Sequence, residues 1–224
     1  MTIIFKNKTC KIKKLNQQKY KLTILSEEKF KHFWTNIKKN IKIIEEKKTY
    51  FIFEAEKVNK LTQLQKNKRI SYNLCKTLFL NIGEQYEYLE KDKYGNLFLN
   101  DDDIIFIDYN KEEKDYTKCF LYLNTEHFSP IIDNKIKIKF PFKKDNLYLS
   151  PEMSAIKSFP IEISTKSIYY SIAMLVINIF SPFKTKNTIE NIKEHIEEIT
   201  ETKLYWALLR CLEINPEDRF YLYI

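Results

Sequence analysis

Apolar and basic residues alternate with a period of two through roughly the first fifty positions, the pattern of strands that bury one face. Residues 2–5 and 10–15 are two such runs, joined by Lys6-Asn7-Lys8-Thr9, which predicts a hairpin. Residues 19–25 (KYKLTIL) predict a third strand. Ser26 then offers an N-cap with Glu27 and Glu28 in the first turn, and Phe30, Phe33, Trp34 and Ile37 continue a helix. Residues 41–44 and 49–53 predict two further strands. The predicted order is β-β-β-α-β-β.

Beyond Glu54 the period lengthens. Residues 60–66 predict a short helix, and 70–89 a long amphipathic one with Leu74, Leu78, Ile82, Tyr86 and Leu89 on its apolar face. Two short strands, 97–99 and 104–107, are expected on either side of Asn100-Asp101-Asp102-Asp103, which reads as a polar turn rather than a metal loop. In Lys135-Ile136-Lys137-Ile138-Lys139-Phe140 a strand would put Ile136, Ile138 and Phe140 on one face and the lysines on the other. An added strand and a docking element both fit that run. The longest apolar stretch, residues 168–180 (IYYSIAMLVINIF), is too short to span a bilayer and contains Asn178, so it predicts a buried helix. Two or three helices are expected after it.

Composition narrows the class. With 44% hydrophobic and 15% aromatic residues, a chain of 224 residues can bury one core or two small lobes. The opening MTIIFKNKTCKIKK holds no signal-peptide core, which predicts an intracellular protein without membrane partners, cytoplasmic or nuclear. Cys10, Cys75, Cys119 and Cys211 stand far apart with no C-x-x-C pair, and His32, His127 and His195 are equally scattered, so spacing suggests free thiols and no zinc site. Charge is uneven: the first 70 residues hold 19 Lys/Arg against 6 Asp/Glu, and the rest 19 against 24. A basic N-terminal part fits an acidic partner, RNA or a ribonucleoprotein first among them. The Lys-, Asn- and Ile-rich composition of an AT-rich genome produces the same bias with no partner.

Three ordered segments carry a resemblance. Leu147-Tyr148-Leu149-Ser150-Pro151-Glu152-Met153 resembles the A-P-E segment that closes the activation loop of protein kinases. The run from Ser164 to Leu175 is similar to the opening of the kinase F helix, and Leu208 to Phe220 to the helix and turn that carry a late arginine. The resemblance implies an α+β, bilobal protein-kinase-like fold. Residues 1–55 would form a reduced five-stranded N-lobe, and 56–224 a mostly helical C-lobe. It also implies a structural ion pair between Glu152 and Arg219. By the same resemblance, Tyr94-Gly95-Asn96 ends the catalytic loop, with Asn96 at the magnesium-binding asparagine. Ile105-Phe106-Ile107-Asp108-Tyr109-Asn110 is similar to the strand and D-F-G motif, with a hairpin expected between Asn96 and Asp108.

Much of the machinery of phosphoryl transfer is missing from that pattern. A glycine loop lets backbone N–H groups approach phosphate, yet no glycine precedes Gly83. The strand lysine is absent from its place, leaving Lys14 and Lys21 as displaced substitutes. The H-R-D motif aligns with Glu90-Lys91-Asp92, which leaves Asp92 a displaced relic of the catalytic base, one residue too close to Asn96. The aspartate expected on the F helix is Ile168. The resemblance therefore implies a pseudokinase that acts as a binding or scaffold module for a protein partner, with no cofactor. The alternative is a divergent active Ser/Thr kinase, with Asp92 as base and Asn96 and Asp108 holding Mg-ATP.

Overall fold

The computed structural model describes residues 2–26, 37–65, 70–109, 118–183 and 189–224, and its fold is α+β with antiparallel sheets. The period-two segments form β1 (Thr2–Lys6), β2 (Cys10–Lys14), β3 (Lys19–Ile24), β4 (Ile43–Lys47) and β5 (Tyr50–Glu54). They make one sheet in the order β1-β2-β3-β5-β4. Alternation decides its inner face: Phe5, Ile12, Leu22, Phe51 and Phe53 are almost wholly buried, while their neighbours along each strand are not. Residues 37–40 are helical, and the greater part of the helix expected between β3 and β4 lies outside the described residues.

A second sheet joins β6 (Lys57–Lys60), β8 (Ile104–Asp108) and β9 (Lys118–Tyr122) in the order β6-β8-β9. A third joins β7 (Tyr94–Gly95), β10 (Ser129–Ile132), β11 (Lys135–Ile138) and β12 (Ile161–Ser164) in the order β12-β11-β10-β7. Strands β6 to β12 thus lie after residue 56, among the helices of that part. Asp133 and Asn134 link β10 to β11 with φ of 49° and 58°, the left-handed pair of a tight hairpin turn. This hairpin supplies the expected strand at 135–138, with Ile136 and Ile138 buried. Phe140, expected on the same face, is 76% exposed because the strand ends at Ile138.

The helices are α1 (Leu61–Gln65), α2 (Tyr72–Lys91), α3 (Pro151–Ala155), α4 (Ser167–Phe180), α5 (Ile189–His195) and α6 (Lys203–Cys211). Ser71 caps α2 by accepting from the Leu74 amide, and Thr202 caps α6 by accepting from the Tyr205 amide. All fourteen residues of α4 are buried, as its unbroken apolar sequence requires. No helix among the described residues is long and apolar enough to cross a membrane. One buried cluster runs from Phe5 to Leu212, and a smaller one around Leu97, Ile136, Met153 and Ile163 lies beneath the β10–β12 sheet.

Helix α2 also completes a sheet. β9 is an edge strand, and an edge exposes one N–H and one C=O every second residue. Asn81 accepts from the Phe120 amide at 2.9 Å, while Gln85 donates to the Phe120 carbonyl at 2.9 Å and accepts from the Tyr122 amide at 3.0 Å. One helical step of four residues, about 6 Å, nearly matches two residues of strand. Two side chains therefore stand in for a missing strand. On the same helix Tyr221 stacks on Phe79 at 4.6 Å, beside Gly83, the one residue of α2 with no side chain. A Cβ at Gly83 would overlap the Tyr221 ring.

Candidate functional site

The β1–β2 turn is docked onto the segment leaving β9. Asn7 organises it from within: its Oδ1 accepts from the Thr9 and Cys10 amides, each at 2.9 Å, and from the Thr9 hydroxyl at 3.0 Å. Its amide group donates outward to Asp103 Oδ1 at 3.2 Å and the Leu123 carbonyl at 3.1 Å. Thr9 Oγ1 lies 3.0 Å from that carbonyl too, so its single proton is shared between Asn7 Oδ1 and the Leu123 carbonyl. The Asn7 amide N–H itself closes the turn on the Cys10 carbonyl at 3.0 Å. Lys8 reaches Glu126 at 2.6 Å across the same junction. The turn's own polar groups satisfy one another and the strand exit beneath them.

Under the turn, Asp103 and Asn124 are in contact, the Asn124 amide donating to Asp103 Oδ2 at 2.8 Å. Asp103 ends a short 3-10 turn, and Asn124 follows β9, so the two flank the open end of the β8–β9 hairpin. Asp103 is buried and both of its carboxylate oxygens accept from asparagine amides, as a buried polar group requires. Burial raises the Tyr122 hydroxyl far above its ordinary range, with the nearby Asp103 charge adding to it. The phenol therefore serves as a neutral hydrogen-bonding group.

Asn96 lies close by but faces inward. It is 1% exposed, and its amide donates to the Phe98 carbonyl at 2.7 Å and the Tyr122 hydroxyl at 3.0 Å. Its Oδ1 accepts from the Phe98 amide at 2.9 Å. This local turn is why residues 97–99 are not the expected strand: the side chain takes backbone groups that a ladder would need. The hairpin expected between Asn96 and Asp108 is accordingly not formed. Asp108 instead ends the first strand of the β8–β9 hairpin, in register with Lys57 and Lys118, and its carbonyl accepts from the Glu56 amide at 2.8 Å. Asp92 is the exposed C-cap of α2, where its backbone N–H bonds back to the helix. Lys14 and Lys21 lie over the rings of Tyr20 and Tyr50, at 5.7 and 3.4 Å.

Glu152 and Arg219 are brought together from 67 residues apart. Arg219 Nη1 and Nη2 donate to the two carboxylate oxygens at 2.6 and 3.0 Å. Arg219 also donates to the Glu213 carbonyl at 2.6 Å and the Ile214 carbonyl at 2.9 Å, and the guanidinium lies 5.1 Å from the Tyr170 ring centre. Ser167, at the start of α4, donates to Glu152 Oε1 at 2.5 Å. Burial works to raise the Glu152 carboxyl, but the hydrogen bonds from Arg219 and Ser167 outweigh it and hold it below the usual range. One fork thus ties α3, α4 and the final turn together.

Sequence reasoning missed Asn7, Asp103 and Asn124 as a set. The signal available was the Asn at the tip of a glycine-free turn, since asparagine side chains readily bond to nearby backbone. Among the described residues no group of three or more His, Cys, Asp or Glu side chains is placed to hold a metal ion. The chain matches no protein-family model and no curated protein.

Proposed function

We propose that the chain is a degenerate relative of the protein kinases, with a reduced N-lobe and a larger C-lobe, that works by binding a protein partner rather than by transferring phosphate. The kinase reading draws support from the five-stranded sheet with helical residues between β3 and β4. It draws further support from the Glu152–Arg219 fork between the A-P-E-like helix and the last turn.

The observation that carries the loss of catalysis is the β1–β2 turn. In a kinase that turn aims free backbone N–H groups at phosphate. Here the amides of Asn7, Thr9 and Cys10 are all taken by the turn's own oxygens. The hairpin that separates the family's magnesium-binding asparagine from its D-F-G aspartate corresponds, in this reading, to β8 and β9. That assigns the two positions to Asp103 and Asn124 in place of Asn96 and Asp108. An asparagine at the second position lacks the charge a magnesium ligand supplies, and the Asp103 carboxylate is already engaged by two amides.

The test is Mg-ATP binding to the full chain by calorimetry, with a thermal-shift measurement alongside. We expect no heat and no shift at millimolar nucleotide. Saturable binding that disappears in Asp103→Asn would overturn the binding-module reading and favour a divergent active kinase.

A further inference from the structure

The outer face of the five-stranded sheet is a second surface, and it stands independently of the kinase reading. Strand register places Lys6, Lys11, Thr23, Tyr50 and Lys47 in one row across β1, β2, β3, β5 and β4. The next row is Ile3, Lys13, Lys21, Ile52 and Glu45, and beyond it Lys19 pairs with Glu54. Six lysines therefore share one face with two carboxylates. Among the described residues none of the six is ion-paired, although Lys21 lies over the Tyr50 ring. Like charges on neighbouring strands, about 4.8 Å apart, repel and destabilise a sheet unless something compensates them.

Lys14 is the informative exception. Its register partner is the buried Tyr20, so it belongs to the opposite face at the end of β2. Of the seven lysines in β1 to β5, the pleat thus puts six on one side.

We infer that this face docks single-stranded RNA through its phosphate backbone. The lysines supply charge at two-residue intervals of about 6.7 Å along a strand. Ile3 and Ile52 lie between them as apolar ground for bases. A broad sheet cannot enter the narrow major groove of an RNA duplex, whereas an unpaired strand can lie across it with its bases splayed.

The experiment is fluorescence anisotropy of a short labelled single-stranded RNA with the full chain, titrated with salt. The triple variant Lys11→Gln/Lys13→Gln/Lys21→Gln is expected to weaken binding at low salt by about tenfold or more. It should also reduce the slope of log affinity against log salt by about 2, given about 0.7 per phosphate contact. Lys14→Gln should leave affinity and slope at their wild-type values. A triple variant that binds like wild type overturns the inference, as does an equal loss in Lys14→Gln. So does binding to phosphatidylserine vesicles or to an acidic polypeptide in the absence of RNA binding.

Discussion

Replacing Arg219 with alanine removes a side chain that is 0% exposed and makes four hydrogen bonds, two to Glu152 and one each to the Glu213 and Ile214 carbonyls. What remains is a carboxylate with only Ser167 as side-chain partner, two carbonyls without their donor, and a void beside Tyr170. Removing one partner of a buried pair costs about 3–5 kcal/mol; Glu152 keeps 21% of its side chain exposed, so the loss should lie in the lower half of that range, about 3–4 kcal/mol. At about 3 kcal/mol per molar urea, the unfolding midpoint should fall by about 1 M. Urea unfolding followed by far-UV circular dichroism reads it directly. Arg219→Lys, which keeps the charge but not the fork, should fall between the two. The same pair has a pH signature. Glu152 is depressed in the folded state, so its contribution is fully present above about pH 4.3, the ordinary glutamate value, and disappears as pH falls through the lower folded value. The gap between wild type and Arg219→Ala should narrow over that acid window. A midpoint unchanged by Arg219→Ala at neutral pH would refute both the energetic argument and the role of the fork in joining α3 to the last turn.

Asn7→Ala should destabilise the fold by about 1–3 kcal/mol and speed hydrogen exchange at Thr9 and Cys10, whose amides it leaves without acceptors; continued protection of both would mean the turn is held by something else. Gln85→Leu strands the Phe120 carbonyl and the Tyr122 amide in the core, an expected loss of about 2–4 kcal/mol by chemical denaturation. A loss below about 1 kcal/mol would show that β9 does not depend on α2 for its edge. Burial pushes the Cys119 and Cys211 thiols up to about 12, so both stay neutral at about pH 8 and should react with a thiol reagent only in denaturant. Rapid labelling of either in the native protein would contradict their placement.

The three tiers of polar contact differ in how far the sequence reveals them. Local ones were legible: Ser71 and Thr202 cap helices within three residues, and the alternation of Cys10 to Lys13 already separates core from surface. The Glu152–Arg219 pairing was legible only through resemblance, since nothing in periodicity joins positions 67 residues apart. The contacts of Asn7 with Asp103 and Leu123 were not legible at all.

What the sequence determined by itself is what depends on neighbours along the chain. Period-two runs become strands with one buried face, the unbroken apolar run becomes the buried helix α4, and the Lys-rich strands carry their charge outward. The tertiary structure alone decided which polar groups meet. Asp108 and Asn96 stood out by motif, yet the ladder set one at a strand end and the buried tyrosines turned the other inward. Asp103, read as part of a polar turn, became the buried acceptor beneath the β1–β2 turn because strand pairing carried β9's exit and Asn7 to the same place. A hydrogen bond requires its partners within about 3 Å. Over 96 residues of chain that distance is set by sheet register and helix packing, on which local pattern is silent.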